Sequence, residues 1–445
     1  MKHTFSIYKS HYKATIKLGW PILVGQLGVI VVGFADTLMV GRYNTDALAA
    51  ASFVNNIFTL ISLLIMGFSY GLTPLISAHY SRGEHAEAGV TFKNAIISNL
   101  LYTALLLIVM GIFYFFLDRM GQEEKLLPLM RPYYLIIWTS MLFVALFNIM
   151  KQFADGTLDT AKAMWILLSG NVINIVGNYM LIYGNLGAPE LGLTGAGLST
   201  WFARLCMAVL FAVILLRSKR YLPFRAGFQN GKITTQEVKR ISRLSLPVSL
   251  QMGMETGSFT FSAVMAGWIS AVTLASYQII VTIGTLGFLF YYSIGASLAI
   301  RVGGFTGLGD KVSIRRAAFA GCHILLVWAA VASVLFFFFG QPLISLFTND
   351  PDVIKTAVAL ILPLIMYQFA DAMQICFANA LRGMTDVVAM MWIAFVSYLI
   401  VGIPTGYFLG FVMGWGETGI FLAFSVGLFM AAVLFYKRFL RISKL

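Results

Sequence analysis

Long apolar stretches separated by short polar ones follow one another from about residue 14 to residue 437. A helix that crosses the hydrocarbon core of a bilayer needs about 20 mostly apolar residues. By that ruler the pattern predicts twelve spanning helices, at 14–40, 47–71, 92–117, 130–152, 163–184, 192–217, 240–267, 273–301, 316–340, 354–380, 388–412 and 416–437. The first stretch exceeds a signal-peptide core and lacks a small-residue cleavage pattern, so it reads as a span. The longest polar connector, RSKRYLPFRAGFQNGKITTQEVKR from Arg217, separates six spans from six. The pattern thus predicts an N-lobe at 1–220, a linker at 221–239 and a C-lobe at 240–445.

The two sixes resemble each other at a nearly constant offset. KLGWPILVGQ from Lys17 answers RLSLPVSLQM from Arg243, and the same shift of 226 residues sets LMVG (38–41) over VMAG (264–267). Leu48-Ala49 falls over Leu274-Ala275, Gly83-Glu84 over Gly309-Asp310 and, with one residue of slip, Met164-Trp165 over Met391-Trp392. Six spans per half insert both halves in one orientation, so the repeats are parallel, a layout expected of a transporter with a central cavity. Pro21 and Pro247 correspond and lie early in the first helix of each half. Each removes one backbone hydrogen bond, which makes both helices candidates for kinks.

Composition agrees with a membrane protein: 59% of residues are hydrophobic and 11% charged. The net charge of +13 could suggest nucleic acid, but its placement argues otherwise. With the N-terminus inside, the outer side receives only Arg42, Arg119, Lys125, Arg131 and Lys355. Arg204 lies within span six, and the other lysines and arginines, from Lys2 and Lys9 to Lys444, fall inside. That asymmetry is the positive-inside rule and puts both termini in the cytoplasm. Cys206, Cys322 and Cys376 fall in separate apolar segments without paired spacing, which argues against a disulfide framework or a zinc site. No HExxH or Walker A string appears, and an enzyme is not expected.

Most of the 18 acidic residues sit in loops or at helix ends, but Asp36, Glu255 and Asp371 lie within spans. A charged acid in hydrocarbon costs a few kcal/mol or more, so such residues face a cavity and have a task. Low polarity favours the protonated acid and a bound cation favours the ionised one, so these carboxyls are suited to exchanging a proton for a cation. Asn174 and Asn178, spaced i, i+4, share one face of span five. Thr200 adds a hydroxyl in span six. Tyr367 and Gln374 stand four residues before and three after Asp371, on its face of span ten.

At these residues the chain resembles the multidrug and toxic compound extrusion (MATE) family, in its NorM-like branch. The resemblance covers essentially the whole length. It rests on GFADTLMVG with Asp36, NVINIVGNYMLIYG with Asn174 and Asn178, GAPELGLTGAG (187–197), LPVSLQMGMET with Glu255, YQFADAMQ with Asp371, IRVGG (300–304), LRGMTD (381–386) and PTGYFLG (404–410). The resemblance implies an all-α polytopic fold of twelve helices in two pseudo-symmetric bundles. It implies cation-coupled antiport of bulky cationic or amphipathic compounds, with an N-lobe cluster at Asp36, Asn174, Asn178 and Thr200. It also implies a C-lobe cation site at Glu255 and Asp371, with Tyr367 beside them. Possession of both C-lobe acids points to the NorM-like branch, where sodium coupling is frequent, rather than the DinF-like branch. The resemblance thus implies Na+, with H+ as the alternative, as the transported ion there. A departure is YYSIG (291–295), where relatives often have proline in place of Tyr291, and Phe288 stands where some carry a cation-facing aromatic.

The expected mechanism is efflux by alternating access, in exchange for Na+ or H+ and without a cofactor. Gln278, Phe288 and Gln374 are candidates for the substrate cavity. Asp350 and Asp352 are candidates for its outer mouth, although solvated loop charge explains them as well. The expected setting is a monomer in the lipid bilayer of the inner membrane, binding small molecules and no nucleic acid. The alternative is a flippase for a lipid-linked oligosaccharide. Its pyrophosphate substrate calls for a basic cavity, whereas the acids here outnumber Arg204. A channel is disfavoured by the absence of a TVGYG-like filter.

Overall fold

The computed structural model describes residues 2–444, with side chains from Tyr8 onward. Met1 and Leu445, the outer ends of the predicted lobes, and the side chain of Lys2 lie outside the described residues. Every regular element among the described residues is a helix. In the N-terminal half these are α1 (Lys2–Tyr43), α2 (Thr45–Ser69), α3 (Leu72–Ser81), α4 (His85–Tyr114), α5 (Leu127–Gly156), α6 (Thr160–Tyr183), α7 (Gly192–Arg217) and α8 (Leu222–Asn230). The C-terminal half comprises α9 (Thr235–Ile269), α10 (Ala271–Leu308), α11 (Lys311–Ser345), α12 (Pro351–Ala359), α13 (Ile361–Gly383), α14 (Val387–Ala394), α15 (Ile403–Tyr407) and α16 (Gly416–Ile442).

Eleven helical stretches among the described residues are long and apolar enough to cross a membrane. The predicted span outside these eleven is the seventh, α9, a 35-residue helix whose apolar run is diluted by Gln251, Glu255, Thr256 and Ser258. Two predicted spans differ in form. The second continues past a turn at Tyr70–Gly71 into α3, ten residues beyond its predicted end. The tenth is broken at Leu360 into α12 and α13. The eleventh covers Val387–Val412 as expected. Within it, however, wide π turns at Phe395–Gly402 and Phe408–Val412 flank α15. Pro404 has no N–H to give the preceding turn, which favours such a departure from the regular ladder. The YYSIG stretch does not interrupt α10, which runs unbroken to Leu308.

The repeat persists in backbone detail. Asn44 caps α2 by accepting from the amides of Asp46 and Ala47, and the corresponding Ser270 caps α10 by accepting from Thr273. Gly83 and Gly309 both adopt positive φ, +75° and +69°. Leu158 and Thr385, which also correspond, share φ 60° despite carrying side chains.

The chain divides into two compact units, Val24–Ser249 and Met1–Leu23 with Leu250–Leu445. These do not coincide with the predicted lobe boundaries at 220 and 240, because each half passes its opening segment to the other unit. In the first case Ser297 Oγ donates to the Thr15 carbonyl (2.9 Å), and Arg301 donates to the His11 carbonyl (2.9 Å) and to Thr15 Oγ1 (2.6 Å). In the second, Ser249 Oγ donates to the Leu64 carbonyl (2.8 Å), and Gly71 lets α9 approach so closely that a Cβ there would meet Ser245 Oγ at 2.4 Å. The two hand-over points, Leu23/Val24 and Ser249/Leu250, keep the 226-residue shift of the repeat and lie two residues beyond Pro21 and Pro247.

The predicted linker is also ordered. Tyr221 and Phe224 are buried, and α8 lies against the first turns of α4. Gly89 and Gly227 make that contact backbone to backbone: a Cβ on Gly227 would lie 1.7 Å from the Ala86 carbonyl oxygen.

Candidate ion and substrate sites

Two polar clusters lie within the spans, one in each unit. In the Val24–Ser249 unit, α6 and α7 approach closely because of small residues. A Cβ on Gly177 would meet Ser199 Oγ at 2.4 Å, and one on Gly195 would meet the Leu181 carbonyl oxygen at 2.3 Å. Small residues at such crossings allow interhelical hydrogen bonds. Asn174 Nδ2 donates to Thr200 Oγ1 (3.1 Å), and Ser199 Oγ donates to the Asn174 carbonyl (2.7 Å). One turn along α6, Asn178 Nδ2 donates to Asp36 Oδ1 and, at 3.4 Å, to Asn174 Oδ1. The four predicted residues of this cluster therefore form one connected chain. Asn178 Oδ1 is buried and has no partner among the described residues, leaving an acceptor beside the acid.

Sequence reasoning placed Arg204 in span six without giving it a role. Its guanidinium donates to Ser140 Oγ on α5 (2.6 Å) and acts electrostatically on Asp36 and Tyr133. Tyr133 in turn donates to Asn55 Oδ1 (3.1 Å). Position i+4 from Thr200 is the only sequence signal that could have tied Arg204 to the cluster.

The second cluster is built by α9, α10, α13 and the π turn after α14. Glu255 is gripped by two amides: Gln251 Nε2 donates to Oε2 (2.8 Å) and Gln374 Nε2 to Oε1 (3.1 Å). Gln374 also donates to the Tyr398 hydroxyl (2.5 Å), so one side chain ties α9 to α13 and to the π turn. Asp371, 1% exposed, accepts from Tyr367 (3.3 Å), and the Glu255 carboxyl acts on it electrostatically. Tyr291 donates to Gln368 Oε1 (2.7 Å) one turn before Asp371. Gln251 was legible four residues before Glu255; Tyr398 was not, because its position depends on the π turn. That turn is held where Gly427 of α16 lies so close that a Cβ there would come 3.3 Å from Gly402 Cα.

The remaining candidates lie apart from these hydrogen bonds. Gln278 is exposed on α10, and half-buried Phe288 faces Tyr292 with ring centroids 6.2 Å apart. Asp350 caps α12, accepting from the amides of Asp352 (2.9 Å) and Val353 (3.4 Å), and Asp352 is exposed in its first turn. Pro21 and Pro247 lie inside α1 and α9 beside the hand-over points. Among the described residues no three His, Cys, Asp or Glu side chains gather as a metal site would require.

Comparison with known proteins places this arrangement. Residues 21–180 and 247–408 match the MatE family model, so the matched segments begin at the two prolines. The multidrug resistance protein NorM of Vibrio cholerae is 30% identical, with 97% of this chain and 95% of that protein covered. A probable multidrug resistance protein NorM of Photorhabdus laumondii is 28% identical, with 95% and 94% covered. Among solved structures, a mutant of the Vibrio cholerae MATE transporter VcmN superposes with a TM-score of 0.87 at 18% identity, covering 98% of each chain. A MOP superfamily transporter from Pyrococcus furiosus does so with 0.87 at 17% identity, covering 97% of this chain and 96% of its own. Matched in both halves and similar to these relatives over nearly their whole length, the chain belongs to the MatE family, as a NorM-like transporter and not an enzyme.

Proposed function

We propose that this protein exports bulky cationic or amphipathic compounds in exchange for Na+ or H+ by alternating access. It does so as a monomer in the inner membrane, with both termini cytoplasmic. The observation that carries the reading is that each unit holds intramembrane carboxyls tied to amides and hydroxyls. Asp36 is joined to Asn178, Asn174 and Thr200, and Glu255 and Asp371 to Gln251, Gln374 and Tyr367. Such oxygen-rich surroundings suit a hard monovalent cation or a proton. The relatives named multidrug resistance protein support the substrate class.

In this reading Na+ or H+ occupies the Glu255/Asp371 cluster, while Asp36 exchanges a proton or cation. A ligand shifts a conformational equilibrium only through its different affinity for the two states, so ion and drug compete. The test uses proteoliposomes loaded with a fluorescent organic cation, under an imposed sodium or proton gradient. Asp36→Asn, Glu255→Gln and Asp371→Asn are each expected to slow gradient-driven export at least about tenfold, equivalent to about 1.4 kcal/mol. Full export by all three variants overturns the mechanism. Transport of an anionic lipid-linked sugar alone would replace it with the flippase reading.

A further inference from the structure

Helix α8 closes one end of an apolar cavity of about 390 Å³ inside the Val24–Ser249 unit, whose lining includes none of Asp36, Asn174, Asn178 and Thr200. The walls are supplied by α4, α5 and α7 and the floor by α8, seated through Gly89 and Gly227 as described above. Along α7 the lining runs from Leu205 to Leu216, about 16 Å of helix at 1.5 Å per residue. The hydrocarbon of one bilayer leaflet is about 15 Å deep. Val209 and Leu216 in this wall are 51% and 56% exposed, so the cavity opens to the chain's surface along a spanning helix.

One charged residue lines the cavity, Arg225, at the α8 end. Its Nε is buried and has no partner among the described residues. Neighbouring cations are engaged elsewhere: Arg220 pairs with Asp159 (3.1 Å), and Lys93 donates to the Gln229 and Gly231 carbonyls (3.3 and 3.0 Å). A leaflet-deep apolar slot ending at an unmet cationic donor matches a molecule with a long chain and an anionic head. A basic pocket between spanning helices on the cytoplasmic side is suited to an anionic headgroup, and guanidinium–phosphate pairing is strong and directional. A cationic substrate would be repelled by Arg225, and an uncharged one would leave its charge unpaired.

We propose that this cavity holds one acyl chain of an anionic phospholipid from the leaflet on the α8 side, with its phosphate at Arg225. The test reconstitutes the full chain in nanodiscs of equimolar phosphatidylglycerol and phosphatidylcholine, then counts retained lipid by native mass spectrometry after mild detergent extraction. Wild type is expected to retain one phosphatidylglycerol, favoured by about tenfold over phosphatidylcholine, whose choline cation offsets the same phosphate charge and is repelled by Arg225. Arg225→Gln should retain lipid with that preference largely lost, and Ala212→Trp, which fills the slot, should retain none. Ala208→Leu is the smaller filling change should the tryptophan variant fail to fold. An unchanged preference in Arg225→Gln, or undiminished retention in a folded slot-filling variant, overturns the proposal. So does displacement of the retained lipid by an uncharged apolar dye at equal concentration.

Discussion

Glu255 and Asp371 share one cluster, yet their neighbours treat them differently. Glu255 accepts from two amides, whereas Asp371 accepts from the Tyr367 hydroxyl (3.3 Å). Gln374 is the joint, since its amide serves both Glu255 and Tyr398. Gln374→Leu is therefore expected to cost about 1–3 kcal/mol by leaving buried oxygens without their donor. A fall in sodium-driven export with little change in drug binding to the detergent-solubilised protein would show that the loss lies in coupling. Outside the spans, Arg82 (2.7 Å) and His79 (2.8 Å) hold Glu84 down at about 2. A lowered carboxyl contributes its full stabilisation above the ordinary value of 4.5 and loses it as pH falls from there through about 2. The melting-temperature gap between wild type and Glu84→Gln should thus be level above about pH 4.5 and close below it. The side chain is exposed, so high salt should shrink the gap at every pH.

At the scale of elements, the spans were legible because hydropathy is a local property and a helix is the way to satisfy backbone groups in lipid. The exceptions lie where a neighbour decides. The π turns of the eleventh span depend on Gly427 meeting Gly402, and α8 depends on Gly89 and Gly227. Read linearly, the α8 segment is a basic connector; in the fold, Tyr221 and Phe224 are core residues. Gly227→Ala would drive a methyl to 1.7 Å from the Ala86 carbonyl oxygen. Overpacking of that kind costs about 1–3 kcal/mol. The expected result is a lower melting temperature, with proteolysis in 221–234 accelerated first.

For the whole molecule, the repeat is more than a likeness of strings. Caps, left-handed residues and the points where the chain passes between units all recur at the same shift to within one residue. Both hand-over points follow a proline. A helix-interior proline costs about 3 kcal/mol or more in backbone terms. Restoring the N–H by Pro21→Ala or Pro247→Ala should therefore hold or raise the melting temperature while slowing export. The repeat predicts comparable slowing for both. Normal export from either variant, measured in the same proteoliposome assay, would confine the proline to an architectural role.

The sequence by itself determined the class of fold, the twelve spans, the doubled design and which acids lie within spans, because each is written in local hydropathy, in spacing or in a charge placed where lipid forbids it. It also showed that Asn174, Asn178, Tyr367 and Gln374 share helix faces with their partners, since i, i+4 geometry is fixed by the helix itself. Only the tertiary structure decided that Gln374 bridges Glu255 to Tyr398 and that Arg204 belongs with Asp36. It alone decided that each half begins in the other unit. Those facts join residues far apart in the chain through close backbone approaches, and no local pattern of hydropathy encodes which surfaces will meet.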